Sequence, residues 1–159
     1  TCALEIVEDL PDVEVIIVPV GGGSGACGAC IAAKGLSPGV RVIGVQAEKA
    51  PAAYLSWKAG RLVESTAATA AEGLATRFGF ALTQSILRRL LDDFVLVSEV
   101  ELQHAVRLYL EGTHNLVEHA GAAPLAAAVK LGDALAGKKV VLVATGGNLT
   151  LQQLRAVLA

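Results

Sequence analysis

Apolar and polar positions alternate along this chain in blocks that switch between helical and strand-like spacing. Ala3, Ile6, Val7 and Leu10 fall at helical spacing and predict a helix over Thr1–Leu10, stopped by Pro11-Asp12. Val13–Val20 holds almost no polar residue and predicts a central strand, followed by a helix over Gly25–Gly35 with Lys34 and Gly35 as its C-terminal signature. After the turn Ser37-Pro38-Gly39, Val40–Gln46 predicts a second buried strand, so the unit reads as a right-handed parallel crossover. A helix with Tyr54, Leu55 and Trp57 is expected over Ala50–Gly60, then an irregular or briefly extended Arg61–Thr69 and an alanine-rich Ala70–Thr76 without a clear period.

The second half repeats the alternation. Leu82–Leu91 is amphipathic and ends at Asp92-Asp93, Phe94–Val97 predicts a third strand, and Ser98 three residues before Glu101 has capping-box spacing for a helix to about Leu110. Ala122–Leu135 predicts another helix, Lys139–Ala144 a fourth strand broken by Thr145-Gly146-Gly147-Asn148, and Leu149–Leu158 a closing helix. The expected fold class is α/β, one domain with an open, mostly parallel sheet and helices on both faces. Ligands of such sheets bind at strand carboxyl ends, where both glycine breaks lie.

Composition narrows the picture. The 159 residues are 53% hydrophobic and only 4% aromatic, with mean hydropathy +0.57, which suits buried parallel strands under closely packed helices. A net charge of −2 without a basic run gives nucleic-acid binding no support. The uncharged run Val15–Ala33 contains Pro19, Ser24 and five glycines, which argues against a membrane span, and the acidic Glu5, Glu8 and Asp9 argue against a signal peptide. Cytoplasmic residence is the expectation. The chain contains no methionine, which points to a piece of a longer protein.

Candidate chemistry concentrates at Gly21-Gly22-Gly23-Ser24-Gly25-Ala26-Cys27-Gly28, a glycine loop between strand and helix that suits a phosphate. Two readings follow from the residues themselves. Gly23-x-Gly25-x-x-Gly28 with Glu48 twenty residues beyond fits a dinucleotide site for NAD. Cys27-Gly28-Ala29-Cys30 near a helix start fits a redox pair, against the alternative that both cysteines are small buried residues that let the helix pack on the sheet.

A third reading covers the whole chain. Val18-Pro19-Val20-Gly21-Gly22-Gly23, Arg41–Gln46, Thr69-Ala70-Ala71-Glu72-Gly73, Asp92–Glu99, Glu118-His119-Ala120-Gly121-Ala122 and Thr145-Gly146-Gly147-Asn148 resemble, in this order, the fold-type II pyridoxal phosphate enzymes, with the serine/threonine dehydratases as the nearest subgroup. The resemblance implies that Gly21, Gly22, Gly23, Ser24 and Gly25 cradle the phosphate of pyridoxal 5'-phosphate, with Ser24 where the family usually has a fourth glycine. It implies that Thr145 meets the pyridine nitrogen, that Gly73 flanks the ring, and that Glu118 lies near it, His119 replacing a glycine or proline. Plainer readings stand beside these: a simple turn for the glycines, a strand-to-helix turn with Asn148 as cap for Thr145–Asn148, and a solvated helix-start acid for Glu118. His104 and His114 read as surface or cap residues.

The resemblance further implies dehydration and deamination of threonine or serine to 2-oxobutanoate or pyruvate plus ammonia. Some family members bind a divalent cation through a carboxylate, and here the matching positions hold Gln46 and Ala52, so no metal ligands are assigned. The family's Schiff-base lysine precedes the region matched here, and Lys34, Lys49, Lys58, Lys130, Lys138 and Lys139 lack its Ser-x-Lys-x-Arg-Gly setting. The chain is thus expected to be the C-terminal portion of the catalytic region, with no catalytic residue of its own. Its partners are an amino-acid substrate and further copies or a companion N-terminal segment. An inactive half that only pairs with a partner chain is the non-enzyme alternative.

Overall fold

The computed structural model describes residues 1–159. Helices α1 (Cys2–Asp9), α2 (Ser24–Leu36), α3 (Ala52–Ala59), α4 (Ala81–Leu90), α5 (Glu99–Thr113), α6 (His119–Leu131) and α7 (Leu151–Leu158) surround strands β1 (Val15–Pro19), β2 (Arg41–Ala47), β3 (Asp93–Val97) and β4 (Val140–Leu142). Every strand pairing is parallel and the order is β3-β2-β1-β4, with Ile17 opposite Ile43 on one side and Leu142 on the other. This is the expected α/β architecture.

β1 is the centre of it. Successive strand side chains point to opposite faces, and β1 divides accordingly: Val15 and Ile17 join the core beneath α5, α6 and α7, whereas Ile16 and Val18 join the core beneath α1, α2 and α4. Val15, Ile16 and Ile17 are fully buried, worth about 1.5–3 kcal/mol each relative to exposure. The chain steps from β1 to β2 to β3 in one direction, then returns past β1 to β4. Because parallel crossovers keep one hand, that reversal puts α2–α4 on one face and α5–α6 on the other. No helix is long and apolar enough to cross a membrane.

Local signals explain most boundaries. The Ser98–Glu101 capping box forms in both directions, with Glu101 N donating to Ser98 Oγ at 3.2 Å and Ser98 N donating to Glu101 Oε2 at 2.6 Å. α5 runs to Thr113, three residues past the expected end, and stops where His114 adopts φ +58°. α6 starts at His119 rather than Ala122 because Glu118 supplies its extended N-cap, and it ends at Leu131 because Gly132 turns to φ +45°. Gly132–Leu135, expected as helix, is a 3-10 turn, and the unassigned Ala70–Thr76 contains another at Glu72–Leu74. Arg61–Thr69 is irregular apart from one antiparallel bridge between Glu64 and Phe78. The last helix begins at Leu151, not Leu149, since Thr150 caps it by accepting from Gln153 N at 3.1 Å; Asn148 is not the cap.

Two side-chain anchors join the layers. Asp92 Oδ2 accepts from Val42 N and from Lys34 Nζ, each at 2.7 Å, while Lys34 Nζ also donates to Val40 O at 2.6 Å. This ties α2, β2 and the start of β3. On the same face Trp57 Nε1 donates to Leu87 O, and the rings of Trp57 and Tyr54 flank Phe94. Replacing Asp92 by alanine leaves the Val42 amide and the Lys34 ammonium short of a partner. The expected loss is about 1–3 kcal/mol, read as a lowered urea midpoint with an unchanged slope.

Candidate functional site

The switch of direction at β1 leaves a crevice between the carboxyl ends of β1 and β4, the position where open α/β sheets hold ligands. β1 runs out at Pro19, and the chain passes through Gly21 and Gly22 to Gly23, which adopts φ +93° as the N-cap of α2. A left-handed cap is the natural place for glycine. Gly21 has a different reason: a Cβ there would stand 2.1 Å from the carbonyl oxygen of Gly73. The turn that carries Gly73 is itself anchored, because Glu99 accepts from Thr69 Oγ1 at 2.6 Å and Ala70 N at 2.9 Å. From below, Thr83 Oγ1 donates to Gly22 O at 2.9 Å and fixes the loop on α4.

The opposite wall is the loop after β4. Glu118 N donates to Gly146 O, and Glu118 Oε2 accepts from Asn148 N, both at 3.1 Å. Behind it α6 approaches so closely that a Cβ on Gly121 would lie 2.0 Å from Thr145 O. Thr145 is thereby held at the mouth of the crevice with its side chain exposed. Glu118 is half-buried and clamps the 145–148 loop, so it is more than a solvated helix-start acid.

The resulting cleft, about 220 Å³, is lined by Pro19, Gly21, Gly22, Gly23, Ser24, Gly25, Gly73, Leu74, Glu118, Ala120 and Thr145. The eight residues singled out in the sequence therefore lie around one space. Pro19, Leu74 and Ala120 were not anticipated; they are apolar or small neighbours whose chemistry gives no signal. No lysine lines the cleft. The first turn of α2 carries no acidic residue and its leading residues, Ser24 included, line the cleft, so the N–H groups at that end meet no acid of their own helix. Such a donor set suits an anion at one end, with the Thr145 hydroxyl offering a neutral hydrogen-bond partner on the other wall. A second, more apolar hollow of about 340 Å³ adjoins it, sharing Pro19, Ser24, Gly25 and Thr145 and extending to Cys2, Ile6 and Val143.

The other two readings of the glycine stretch fare differently. Glu48, the carboxylate of the dinucleotide pattern, is drawn to Lys130 of α6, which also pairs with Glu101 and donates to Leu96 O. It is engaged in an ion-pair cluster and does not line the cleft. Cys27 and Cys30 are buried, burial raises both thiols, and Cys30 is pushed up to about 12. Neither is a poised thiolate at neutral pH, so the redox pattern gives way to packing. Gln46 is fully buried, its Oε1 accepting from Tyr54 N and its Nε2 donating to Thr76 Oγ1. Of the other histidines, His104 is exposed on α5 and His114 caps it.

Residues 1–146 match the family model described as pyridoxal-phosphate dependent enzyme. The chain is 42% identical over 151 residues to an L-threonine ammonia-lyase of Thermotoga maritima, covering 94% of this chain and 37% of that protein. It is 38% identical to a catabolic L-threonine dehydratase of Escherichia coli, covering 96% and 47%. The crystal structure of a T.th. threonine deaminase superposes with a TM-score of 0.88 at 35% identity, covering 95% of this chain and 56% of that one. The chain thus spans less than half the length of these two curated relatives.

Two measurements probe the geometry. With a thiol-alkylating reagent at pH 8, the exposed Cys2 reacts readily and Cys27 and Cys30 remain unmodified until the protein is unfolded, because their thiolates form only at higher pH. Gly121→Ala forces the α6 backbone away from Thr145 and costs about 1–3 kcal/mol in urea unfolding. Gly28→Ala, whose Cβ would meet nothing within 4 Å, serves as the control and leaves stability equal or higher.

Proposed function

The chain belongs to the pyridoxal-phosphate dependent enzymes, and from that premise we propose that it forms the cofactor-holding portion of a threonine/serine ammonia-lyase. The activity is dehydration and deamination of threonine or serine to 2-oxobutanoate or pyruvate plus ammonia. The observation that carries the reading is the convergence of the glycine loop after β1 and Thr145 after β4 on one cleft at the switch point of the sheet.

In this reading Gly21, Gly22, Gly23, Ser24 and Gly25 hold the phosphate, through backbone N–H groups at the start of α2 and the Ser24 hydroxyl. Thr145 hydrogen-bonds the pyridine nitrogen, Gly73 leaves room beside the ring, and Glu118 secures the Thr145 loop at the ring's edge. When bound, pyridoxal phosphate supplies the electron sink that makes the α-proton of an amino acid removable. A hydroxyl at the ring nitrogen is the chemically telling choice. Unlike a carboxylate, it does not keep that nitrogen protonated, so charge is not stored in the ring and departure of the β-hydroxyl is favoured over transamination. The lysine that anchors the cofactor and takes the α-proton comes from a further part of the whole enzyme, since no lysine lines the cleft. We place the enzyme in the cytoplasm, as a homo-oligomer or joined to a companion N-terminal segment, acting on a small amino acid.

The test uses the full-length protein purified with pyridoxal phosphate. The expected results are cofactor absorbance in the visible range and release of a keto acid from threonine or serine; absence of both refutes the reading. Thr145→Val, which removes the hydroxyl and keeps the shape, is expected to lower kcat by about tenfold, the scale of one neutral hydrogen bond, with phosphate-dependent cofactor retention preserved.

A further inference from the structure

His119 occupies the first position of α6, directly behind Glu118, and only 3% of it is exposed. Its Nδ1 has no hydrogen-bond partner anywhere in the chain. Leaving a buried polar atom without a partner is costly, so such atoms in folded proteins are met by a protein group or an ordered water. A pocket for one exists. His119 lines a small cavity of about 10 Å³ together with Glu72, Glu118, Asn148 and Gln153, room for roughly one water molecule. The same Glu118 lines the cofactor cleft on its other side, and its Oε2 accepts from Asn148 N.

We propose that one buried water in this cavity bridges His119 Nδ1 and the Glu118 carboxylate, and that through it His119 acts as a positioning residue for Glu118 at the wall of the cofactor cleft. The role for the cleft rests on the functional reading above; the water does not. The charged groups around the imidazole are all acidic. Glu99 faces it from α5, Glu72 from the turn before α4 and Glu118 from its own helix cap. Burial holds the imidazole below its ordinary value in spite of them. It is therefore neutral at pH 7 and offers one nitrogen as donor and one as acceptor, as a bridging water requires. A substitution that removes the ring nitrogens releases the water or leaves Glu118 to bear it alone. Either outcome changes how the Glu118 carboxylate is held beside the cofactor ring.

The experiment has two arms, both on the full-length enzyme. In a crystal structure at a resolution that shows ordered waters, one water is expected within hydrogen-bond distance of His119 Nδ1 and a Glu118 oxygen; an empty cavity, or a His119 ring bonded directly to protein, overturns the proposal. In the second arm the visible absorbance of the bound cofactor is titrated with pH for wild type, His119→Leu and His119→Gln. His119→Leu is expected to move the midpoint by about half a pH unit, roughly threefold in proton binding, whereas His119→Gln, which can still meet a water, restores most of it. Equal midpoints in all three proteins overturn the positioning role. A uniform shift in both variants does so too, since it marks a packing effect. If wild-type enzyme shows no cofactor absorbance, the functional reading fails and the density alone decides the water.

Discussion

The structure depends on a constraint of chain direction: β1 must be the strand from which the sheet grows both ways. β1 is buried on both faces and paired on both edges, so the connection from its carboxyl end leaves toward β2 on one side, while the chain returning from β3 adds β4 on the other. A crevice at that point is a consequence of the strand order. The glycines at the end of β1 and the Thr145–Asn148 loop at the end of β4 are chemically specific only because the reversal brings them face to face.

Around that crevice the backbone is held by contacts that exclude side chains. α6 touches the Thr145 carbonyl through Gly121, the 72–74 turn touches Gly21 through its carbonyl, and Glu118 lies against Gly146. None of these contacts would gather much energy alone. Together they define the shape of the cleft with backbone atoms, whose positions vary less than those of long side chains. Ser24, the one hydroxyl in the loop, sits at the exposed first position of α2 and lines the cleft.

Much of this is legible in the sequence, and unevenly so. The strands are readable because β1 and β2 are buried on both faces, β1 being Val and Ile up to Pro19 and β2 carrying Val42, Ile43 and Val45, and the α5 start because Ser98 and Glu101 make a local motif whose bonds both form. The start of α6 escapes a sequence reading because Gly121 is a weak helix former and the N-cap Glu118 makes no capping bond of its own. Gly132–Leu135 reads as helix because its apolar spacing continues past a glycine whose φ ends the helix. The candidate site residues are singled out by their order along the chain, and the structure brings them around one cleft. That Glu118 reaches the 145–148 loop, that Thr83 pins Gly22 and that Lys130 occupies Glu48 are contacts between residues 30 to 82 apart, which no local pattern records.

The close glycine contacts also bear on how this region tolerates change. Gly21 presses on the Gly73 carbonyl, and Gly73 in turn stands 2.9 Å, by its would-be Cβ, from the Cβ of Ala120. The three positions share one gap. A larger residue at any of them pushes the same 72–74 turn, so a second enlargement in the set acts on a turn already displaced and adds less than its separate cost. Tolerance here is therefore collective: drift at these sites is expected to proceed by coupled changes in the turn as a whole, while isolated positions such as Gly28 and Gly35 are free to vary independently.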